Sequence, residues 1–597
     1  MVQHKPSNEA ISVAPPTEFD LLCEERLVQF MAEAVPTFSE EEQLKRMQIL
    51  STITNIFEDW VRSVCLSKGL PPEVANAAGG KVFTSGSYRL NIAEKGMDID
   101  TICVAPRQVT RDDFFDSLKA ILEDHDSITN LTSVETAQVP LITFDFEDIN
   151  IDLLFASLPV DSIPKDNFDI NDDNVLRGVD SSTEKTLNGP RVTNLIERLV
   201  PNFPSFLKLV RCVRLWAKRR GLYSNKMGYL GGVNCNILSA FICQLYPNAS
   251  ASVLLERFFY VLRDWKWPTP ILLTPISDAG LGFEPWDPSF GGNRFHVMPI
   301  LTPAYPSMNS TVSVSRQTLE VMQGEMAVAW NKVKQVLANN GEGWDSVFAP
   351  TDFSIAHSRY LAAEIFVSQL PEHEVAEKAR SWCGYCESRL RKLVENLSYL
   401  PVSNLRLLPK KLPLLTVKSE AEGGPAQGGE GMSYLIGFDI DKDRMQGDEL
   451  DLTNKVEGFK MELYAGAARP PPNSAVRALV NEEVTHKNLR FRVSDFASWR
   501  ALPEICFEGL GGKVAAKAAY KQLKAVRKAN APLTLEQGGD EVAAAADTTG
   551  DATEGSSSSN GIAGVKRALE DGNGDRRAGK MSRDEPNQDD EGDYEIV

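Results

Sequence analysis

The sequence predicts a chain of several domains in the α+β class. At 597 residues it is long enough for three or four domains of ordinary size. Apolar strand-like runs alternate with helical patterns over the first 200 residues, which indicates a mixed sheet flanked by helices. The pattern is mostly helical after Pro201, and strands return after Asp352. We therefore expect an α+β domain, a helical domain and a second α/β unit.

Breaks in these patterns give the expected boundaries along the chain. They are a disordered N-terminus at 1–17, a first domain at 18–203, a helical domain at 204–349, a third domain at 350–528 and a disordered tail at 529–597. A Gly-rich stretch at 418–432 reads as a flexible insertion. From Asp540 to Val597 there are fifteen acidic and six basic residues, so this part of the tail carries −9. Such a segment cannot bury enough apolar surface to order itself.

Each helix and strand has its own pattern. Apolar residues at helical spacing predict helices over 18–68, and Thr110 with Asp113 three residues later predicts a capped helix at 111–122. Proline at the start and glycine past the end define a helix from Pro204 to Arg220. The remaining elements are strands at 141–146, 149–155, 360–370 and 433–440, and helices at 254–267, 314–338 and 372–400.

Charge and cysteine content limit the class of protein. The net charge of −19 disfavours binding of nucleic acid over the whole surface, so any RNA contact needs local basic stripes. The nine cysteines show no disulfide framework and suggest a reducing compartment, and Cys383 and Cys386 fit a helix core better than a zinc site. The polar start and the lack of a long apolar run predict no signal peptide and no membrane span.

The segment Lys81–Ala105, KVFTSGSYRLNIAEKGMDIDTICVA, combines a tight turn with a pair of acids. It predicts a strand, a turn at Gly86 and Ser87, a short helix, a loop and a second strand. Glycine lets backbone N–H groups approach an anion closely, and the following helix points its positive end to the same place. Asp98 and Asp100 open the second strand, where residues two apart share a face at about 6–7 Å between Cα atoms.

A third acid, Asp152, is embedded in the apolar strand DINIDLLFA at 148–156. A buried acid needs a partner, because an unpaired buried charge is costly. If this strand lies beside the one that Asp98 and Asp100 open, three carboxylates can hold two divalent cations for phosphoryl or nucleotidyl transfer. A D-x-D pair alone is usually solvated in a loop, and Asp152 alone fits an edge strand, but the order of all the parts favours the functional interpretation.

The same stretch resembles the catalytic signature of eukaryotic nuclear poly(A) polymerases, a family of polymerase-β-like nucleotidyltransferases. The signature is FTSGSYRLNIAEKGMDIDTICVAPRQVTRDDFF, and the likeness continues through VPLITFDFEDINIDLLFA, LNGPRVTNLI, RLWAKRRGLYSNKMGYLGG and MPILTPAYPSMNST. It is dense from Glu18 to Lys334 and thins out after that. Matches this long and ordered are far more specific than the acid pair itself.

The resemblance implies a template-independent polynucleotide adenylyltransferase that adds AMP from ATP to RNA 3′ ends. It implies a polymerase-β-like nucleotidyltransferase domain, a helical middle domain and a ferredoxin-like C-terminal RNA-binding domain. Asp98, Asp100 and Asp152 would be the catalytic residues and would hold two Mg²⁺ or Mn²⁺ ions. Besides these acids, the implied ATP-binding residues are Ser85, Gly86, Ser87, Arg214, Tyr223, Asn225, Gly232 and Val233.

Residues expected to contact RNA lie in two parts of the chain. Asn188 matches a polar residue that lines the RNA or nucleotide cleft in the family. Basic residues that could neutralise phosphates without reading sequence are Lys410, Lys411, Lys513, Lys517 and Lys521. The lysine stripe after residue 512 is explained equally well as a solvated helix surface.

The chain departs from the family pattern at a few positions. Arg214 stands where relatives usually have Lys, so charge is kept but geometry differs. Thr143 falls where many relatives carry Lys, and Asn234 and Cys235 fall where they tend to have a small residue and Trp. Arg214 shares one side of its predicted helix with two other basic residues, Arg211 and Lys218.

Two other functions stay open. One is a terminal uridylyltransferase or another RNA tail-adding enzyme on the same scaffold, and the other is a catalytically inactive RNA-binding scaffold. The resemblance implies a monomer that works with pre-mRNA cleavage and polyadenylation factors. Lys566-Arg567 followed by RRAGK at 576–580 resembles a bipartite nuclear localisation signal and predicts the nucleus.

Overall fold

The computed structural model describes residues 8–529 except positions 93, 95, 136–138, 165, 369–371, 417–430, 448 and 469–487. Residues 1–7, the acidic tail with its basic pairs, and the predicted insertion up to residue 430 lie outside the described residues. Residues 431 and 432, which the sequence pattern places in that insertion, instead begin a strand. Among the helices that the structure describes, none has the length and apolar character needed to cross a membrane.

The described part of the first region, residues 18–199, contains α-helices and the strands of one sheet. Helices α1–α7 are Glu18–Ala34, Glu40–Ser67, Pro72–Ala78, Gly86–Arg89, Arg111–Asp113, Lys119–Glu123 and Ser181–Leu199. Strands β1–β5 are Lys81–Thr84, Ile99–Pro106, Ile128–Val134, Leu141–Phe146 and Ile149–Leu158. The single helix predicted at 111–122 has the expected capping box at Thr110, but a π-helical turn at Phe114–Leu118 divides it into α5 and α6.

The five strands form one mixed sheet in the order β1-β2-β5-β4-β3. β2 and β5 run parallel with Asp100 opposite Asp152, and the other neighbours are antiparallel. Phe57 and Trp60 of α2 pack on one face of the sheet, and Leu187 of α7 packs on the other. Because both faces of β2 and β5 are covered, these strands read as nearly continuous apolar runs.

The second region is mostly helical, as the sequence predicted. Helices α8–α11 are Phe203–Arg219, Gly232–Leu245, Ala251–Arg263 and Arg316–Ala338. The side chain of Asn202 accepts a hydrogen bond from the Ser205 N–H and so fixes the start of α8. Ser250 caps α10 in the same way, so this helix begins earlier than the predicted 254 and ends at Arg263 rather than 267.

The elements of the third region are α12 Phe353–Ala356, β6 Arg359–Val367, α13 Glu372–Ser398, β7 Val402–Leu407, β8 Gly431–Ile440, α14 Thr453–Ala468, β9 Leu489–Phe496 and α15 Lys513–Ala529. The elements from β6 to β9 follow the chain order strand–helix–strand–strand–helix–strand, with one α-helix before them and one after them. The four strands form an antiparallel sheet in the order β7-β8-β6-β9. Trp382 of α13 donates to a carbonyl of β9 and stacks on Tyr464 of α14, with ring centroids 5.6 Å apart, so both helices pack on this sheet.

Residues 8–17 lie against the second region. The Asn8 side chain donates to Gln244 Oε1 at 2.7 Å, and the Ile11 N–H donates to the carbonyl of Leu245 at 2.8 Å. Farther along, Asn248 donates to the carbonyl of Val13. The prediction of disorder through residue 17 is therefore wrong for 8–17, because polar groups at the end of α9 bind a segment whose composition alone gives no sign of it.

Candidate active site

Three aspartates meet where two neighbouring strands begin. Asp100 of β2 lies directly opposite Asp152 of β5, and Asp98 precedes β2 by one residue. One carboxylate oxygen from each of the three lies within 4.8 Å of the other two. The convergence that the sequence predicted is observed, because the parallel pairing of β2 and β5 brings distant parts of the chain into register.

Burial and proximity perturb the three carboxylates. Burial, and then the charges of Asp98 and Asp152, raise the pKa of Asp100 to about 7, while Arg214 opposes the rise. Burial also raises the pKa of Asp152, although a hydrogen bond with Thr143 lowers it. Crowded acids of this kind fit a divalent cation, because its charge removes the repulsion and carboxylate oxygens are its preferred ligands.

The departures from the family pattern have different surroundings. Thr143 lies opposite Asp152 on β4, so its hydroxyl touches the acid cluster. Cys235 is fully buried in the core of the helical region. Asn234 is also buried and donates to Ser310 Oγ at 2.7 Å. Of these three residues, Thr143 is therefore the one that contacts the acids.

The turn at Gly86 brings the backbone against the acids. Gly86 has a φ of +60°, and a Cβ atom there would lie 2.6 Å from Oδ2 of Asp100. Its N–H donates to Thr193 Oγ1 at 3.3 Å, so this donor, which the sequence suggested for an anion, already has a partner. Ser85 and Ser87 are buried on either side of the turn.

Gly86→Ala is expected to displace Asp100 and to lower the affinity for Mn²⁺ by about tenfold or more, since a positive φ costs an alanine roughly 1–2 kcal/mol and the new methyl group would overlap the carboxylate. Titration with Mn²⁺ checks this result. Gly69→Ala is the matched control, because Gly69 also has a positive φ but a Cβ atom there would meet no other atom within 4 Å. Equal Mn²⁺ affinity in the two variants would contradict the close approach of Gly86 to the Asp100 carboxylate.

Asp98 and Asp100 line the wall of a cavity of about 320 Å³. α7, the start of α9 and the segment between α8 and α9 supply the other walls. Of the residues predicted to bind ATP, those that line the cavity are Ser85, Gly86, Ser87, Asp98, Asp100, Arg214, Tyr223, Asn225, Gly232 and Val233. Asp152 meets the other acids but does not line the cavity, and Asn188, predicted to contact RNA, does line it.

Arg214 places a buried cation in the cavity wall. Its residue is 2% exposed, and Nη2 donates to the hydroxyl of Tyr223 at 3.2 Å. A Cβ atom on Gly232 would lie 3.2 Å from that hydroxyl, so glycine allows the close approach. The other two basic residues on that side of α8 have partners elsewhere. Arg211 donates to the carbonyl of the residue after α1, and Lys218 pairs with a glutamate before β2.

Three asparagines of the cavity wall have a buried Oδ1 with no hydrogen-bond partner among the described residues: Asn188, Asn225 and Asn236. The sequence analysis missed Asn236, and the signal available was a polar residue inside the apolar run of α9. Further lining residues that it missed are Lys185, Thr186, Thr193, Thr302 and Met308. These come from separate elements that only the tertiary fold brings together.

Glu184 lies behind this wall and gives a pH-dependent prediction. Burial raises its pKa from 4.5 to about 7, although Lys185, Asn188 and Arg191 each favour the ionised form. The folded state therefore binds a proton more tightly than the unfolded chain, and stability falls as pH rises from about 4.5 to 7.

Glu184→Gln is expected to be more stable than the wild type at pH 8, by roughly 2 kcal/mol, because it removes the buried charge. Near pH 5 this gain should shrink, because the wild-type carboxyl is then largely protonated in the folded state. Thermal denaturation of both proteins at the two pH values checks the result. A gain of the same size at pH 5 and pH 8 would contradict it.

The five predicted RNA-contacting lysines do not line the cavity. Lys411 lies 4.0 Å from a glutamate of α13, and the Lys513 ammonium donates to a backbone carbonyl before α15 at 2.9 Å. Lys410 is exposed, as are Lys517 and Lys521 on α15. Contact of these side chains with RNA stays a prediction.

The chain is similar to known poly(A) polymerases over much of its length. It is 42% identical over 388 residues to Nuclear poly(A) polymerase 1 of Arabidopsis thaliana. This alignment covers 65% of this chain and 53% of the relative. It is also 42% identical over 394 residues to Poly(A) polymerase of Dictyostelium discoideum, covering 66% and 48%. The chain thus spans about half the length of the curated relatives it matches.

Likeness to solved structures is weaker. A structure of Cid1, described with RNA terminal uridylyl transferase activity, aligns with a TM-score of 0.38 and 15% identity. The alignment covers 56% of this chain and 99% of that one. A likeness of this degree supports no conclusion about activity.

Two family models match consecutive parts of the chain. Residues 8–200 match the poly(A) polymerase nucleotidyltransferase domain, and residues 205–350 match the poly(A) polymerase central domain. Together they span more than half of the 597 residues and include the three acids and the cavity. The chain therefore belongs to the poly(A) polymerase family of polymerase-β-like nucleotidyltransferases.

Proposed function

We propose that the protein is a template-independent polynucleotide adenylyltransferase, which transfers AMP from ATP to the 3′ ends of RNA. The observation that carries the proposal is the meeting of Asp98, Asp100 and Asp152 beside the Gly86 turn. Asp98 and Asp100 line a cavity whose wall also contains the Arg214 cation. Membership of the poly(A) polymerase family supports adenylate as the transferred group.

In the proposed reaction, the oxygen of the RNA 3′-hydroxyl forms a bond to the α-phosphorus of ATP, and the bond from that phosphorus to pyrophosphate breaks. Two Mg²⁺ or Mn²⁺ ions held by the three aspartates would supply positive charge at the phosphate oxygens and favour loss of the hydroxyl proton. The chain itself supplies position. The guanidinium of Arg214 attracts the triphosphate, and Ser85 and Ser87, which line the cavity at the Gly86 turn, lie beside the triphosphate.

The nucleoside would lie against the segment between α8 and α9. Tyr223 offers a ring and a hydroxyl that Arg214 already orients. Gly232 and Val233 begin α9, where the lack of a side chain on Gly232 lets a ligand approach the backbone. Asn225 adds an amide oxygen that has no partner among the described residues.

We assign residues 18–203 to a catalytic domain, 204–349 to a middle domain and 350–528 to a ferredoxin-like RNA-binding domain. The strand–helix–strand–strand–helix–strand order and the sheet order β7-β8-β6-β9 support the last assignment. Phosphates of the RNA would contact Lys410, Lys411, Lys513, Lys517 and Lys521.

The nucleus is the proposed location. Several relatives are named nuclear poly(A) polymerases, and the basic pairs at 566–567 and 576–577 suit nuclear import. Its proposed partners are the RNA 3′ end and, by family resemblance, pre-mRNA cleavage and polyadenylation factors. We propose a monomer without a membrane partner.

The direct test uses purified protein, a short RNA with a free 3′-hydroxyl, and each nucleoside triphosphate separately with Mg²⁺ or Mn²⁺. Extension with ATP alone is the expected result. Extension with UTP alone would replace the proposal by a uridylyltransferase. No extension with any nucleotide would leave an RNA-binding scaffold instead of an enzyme.

A further inference from the structure

A buried carboxylate holds the side-chain amide of Asn188 from behind the cavity wall. Glu184 and Asn188 lie one turn apart on α7, and each is 3% exposed. Asn188 Nδ2 donates to Glu184 Oε1 at 2.6 Å, which is short and charge-assisted when the carboxyl is ionised. Asn188 lines the cavity and Glu184 does not, so any effect of Glu184 on a ligand passes through Asn188.

The carboxylate determines how the amide is turned. An asparagine amide has a donor NH₂ group and an acceptor oxygen of similar size, so its two orientations fill the same space. Above pH 7 Glu184 is mostly ionised. Its carboxylate then only accepts hydrogen bonds, and it therefore selects the NH₂ group of Asn188. This leaves Oδ1, which has no partner among the described residues, as an acceptor whose isolation costs free energy until a donor reaches it.

The same cavity has two more acceptors of this kind. Oδ1 of Asn225 and Oδ1 of Asn236 are likewise buried without a partner among the described residues. A ligand that carries several O–H or N–H donors beside an anionic group suits three amide oxygens and the Arg214 cation. ATP has this chemistry, with two ribose hydroxyls, the adenine amino group and a triphosphate.

We propose that Glu184 is a positioning residue, which orients the Asn188 amide so that its oxygen accepts a hydrogen bond from a ribose hydroxyl or the amino group of the bound nucleotide. The inference rests on the proposed function, because it takes ATP as the ligand of the cavity. It adds to that function the residue that fixes one specificity-determining contact.

The test compares the wild type with Glu184→Met, Asn188→Ala and the double variant. For each, ATP binding is measured by calorimetry, and KM and kcat are measured on a short RNA, all at pH 8, where Glu184 is mostly ionised. The nucleotides are ATP and three analogues that lack one donor each: 2′-deoxyATP, 3′-deoxyATP and purine riboside triphosphate, which has no 6-amino group. Glu197→Gln is the matched control, because Glu197 lies on the same helix in an exposed ion pair with Arg89.

Loss of one well-formed hydrogen bond corresponds to about a tenfold change in affinity. The wild type should therefore bind ATP about tenfold more tightly than the one analogue that lacks the group donating to Asn188 Oδ1. Glu184→Met should raise KM for ATP with little change in kcat and lose that preference, and the double variant should behave like Asn188→Ala. Glu184→Gln keeps an acceptor oxygen and should restore most of the preference, while Glu197→Gln should match the wild type.

Independent, additive effects of Glu184→Met and Asn188→Ala would overturn the proposal, as would unchanged analogue preference in Glu184→Met. A lower melting temperature with wild-type selectivity would also overturn it, because it would give Glu184 a purely structural role. The binding measurement separates the two levels: if the wild type binds ATP but transfers nothing, the proposed function fails, and the analogue preference in binding still decides the role of Glu184.

Discussion

Asp152→Asn should lower the rate of AMP transfer by about 1,000-fold or more. A metal ligand stabilises the transition state by several kcal/mol, and about 4 kcal/mol corresponds to three powers of ten in rate. Asp152 lies opposite Asp100 in the parallel pair β2–β5, and its carboxylate shares a 4.8 Å cluster with Asp98 and Asp100. An amide of the same shape keeps the packing but loses the negative charge. Single-turnover assays with ATP, RNA and Mg²⁺ measure the effect.

Stability separates loss of chemistry from loss of fold in this variant. Burial raises the pKa of Asp152, so its charge is unfavourable in the folded protein without a cation. Asp152→Asn should therefore unfold at the wild-type temperature or above it when no metal is added. Asp148→Asn, on the exposed turn before the same strand, is the control and should keep full activity. Near-normal transfer by Asp152→Asn would remove Asp152 from the active site.

Glu325→Gln should destabilise the protein by about 3–5 kcal/mol, because it removes the negative charge that two buried guanidinium groups share. Arg220 then keeps Asp352, 3.5 Å away and 40% exposed, as a weaker counter-charge. Glu325 of α11 accepts from Arg220 Nε at 2.8 Å and from Arg406 Nη1 at 2.7 Å, and all three side chains are largely buried. Arg220 is the residue after α8 and Arg406 lies on β7, so this cluster joins the helical region to the antiparallel sheet. Chemical denaturation at pH 7 checks the loss.

The pH dependence of this effect has a defined sign. Burial raises the pKa of Glu325, but Arg406 and Arg220 outweigh burial and hold it below the ordinary 4.5. Its contribution is therefore present above pH 4.5 and disappears as pH falls through the lower folded-state value. Glu342→Gln, in an exposed pair with Arg26, should change stability by less than about 1 kcal/mol. Equal losses of stability in Glu325→Gln and Glu342→Gln would show that the buried cluster does not stabilise the contact between the helical region and the antiparallel sheet.

Local sequence patterns were sufficient to predict the acid cluster. Asp98 and Asp100 border one apolar strand and Asp152 lies in another, and buried strands of this kind tend to pair within one sheet. Gly86 was recognisable because a tight turn before a short helix favours glycine, and the structure gives it a positive φ. The strand and helix predicted at 360–370 and 372–400 are also confirmed, with small shifts at their ends.

The rest of the site depends on packing between distant segments. Asn236 belongs to a helix whose sequence reads as core, and nothing local shows that one side of it meets a cavity. Glu184 looks like an ordinary first-turn acid of α7 until Asn188 and the cavity are in place. Arg211 and Arg214 share a predicted side of α8, yet one binds a backbone carbonyl and the other lines the cavity.

Crystals grown with Mn²⁺ and a non-hydrolysable ATP analogue offer the most direct measurement, because anomalous scattering locates the metal. The account predicts anomalous peaks about 2.0–2.3 Å from carboxylate oxygens of Asp98, Asp100 and Asp152, with the triphosphate reaching toward Arg214. Mn²⁺ bound at another site, with the ATP analogue ordered and no metal at the three carboxylates, would contradict this account.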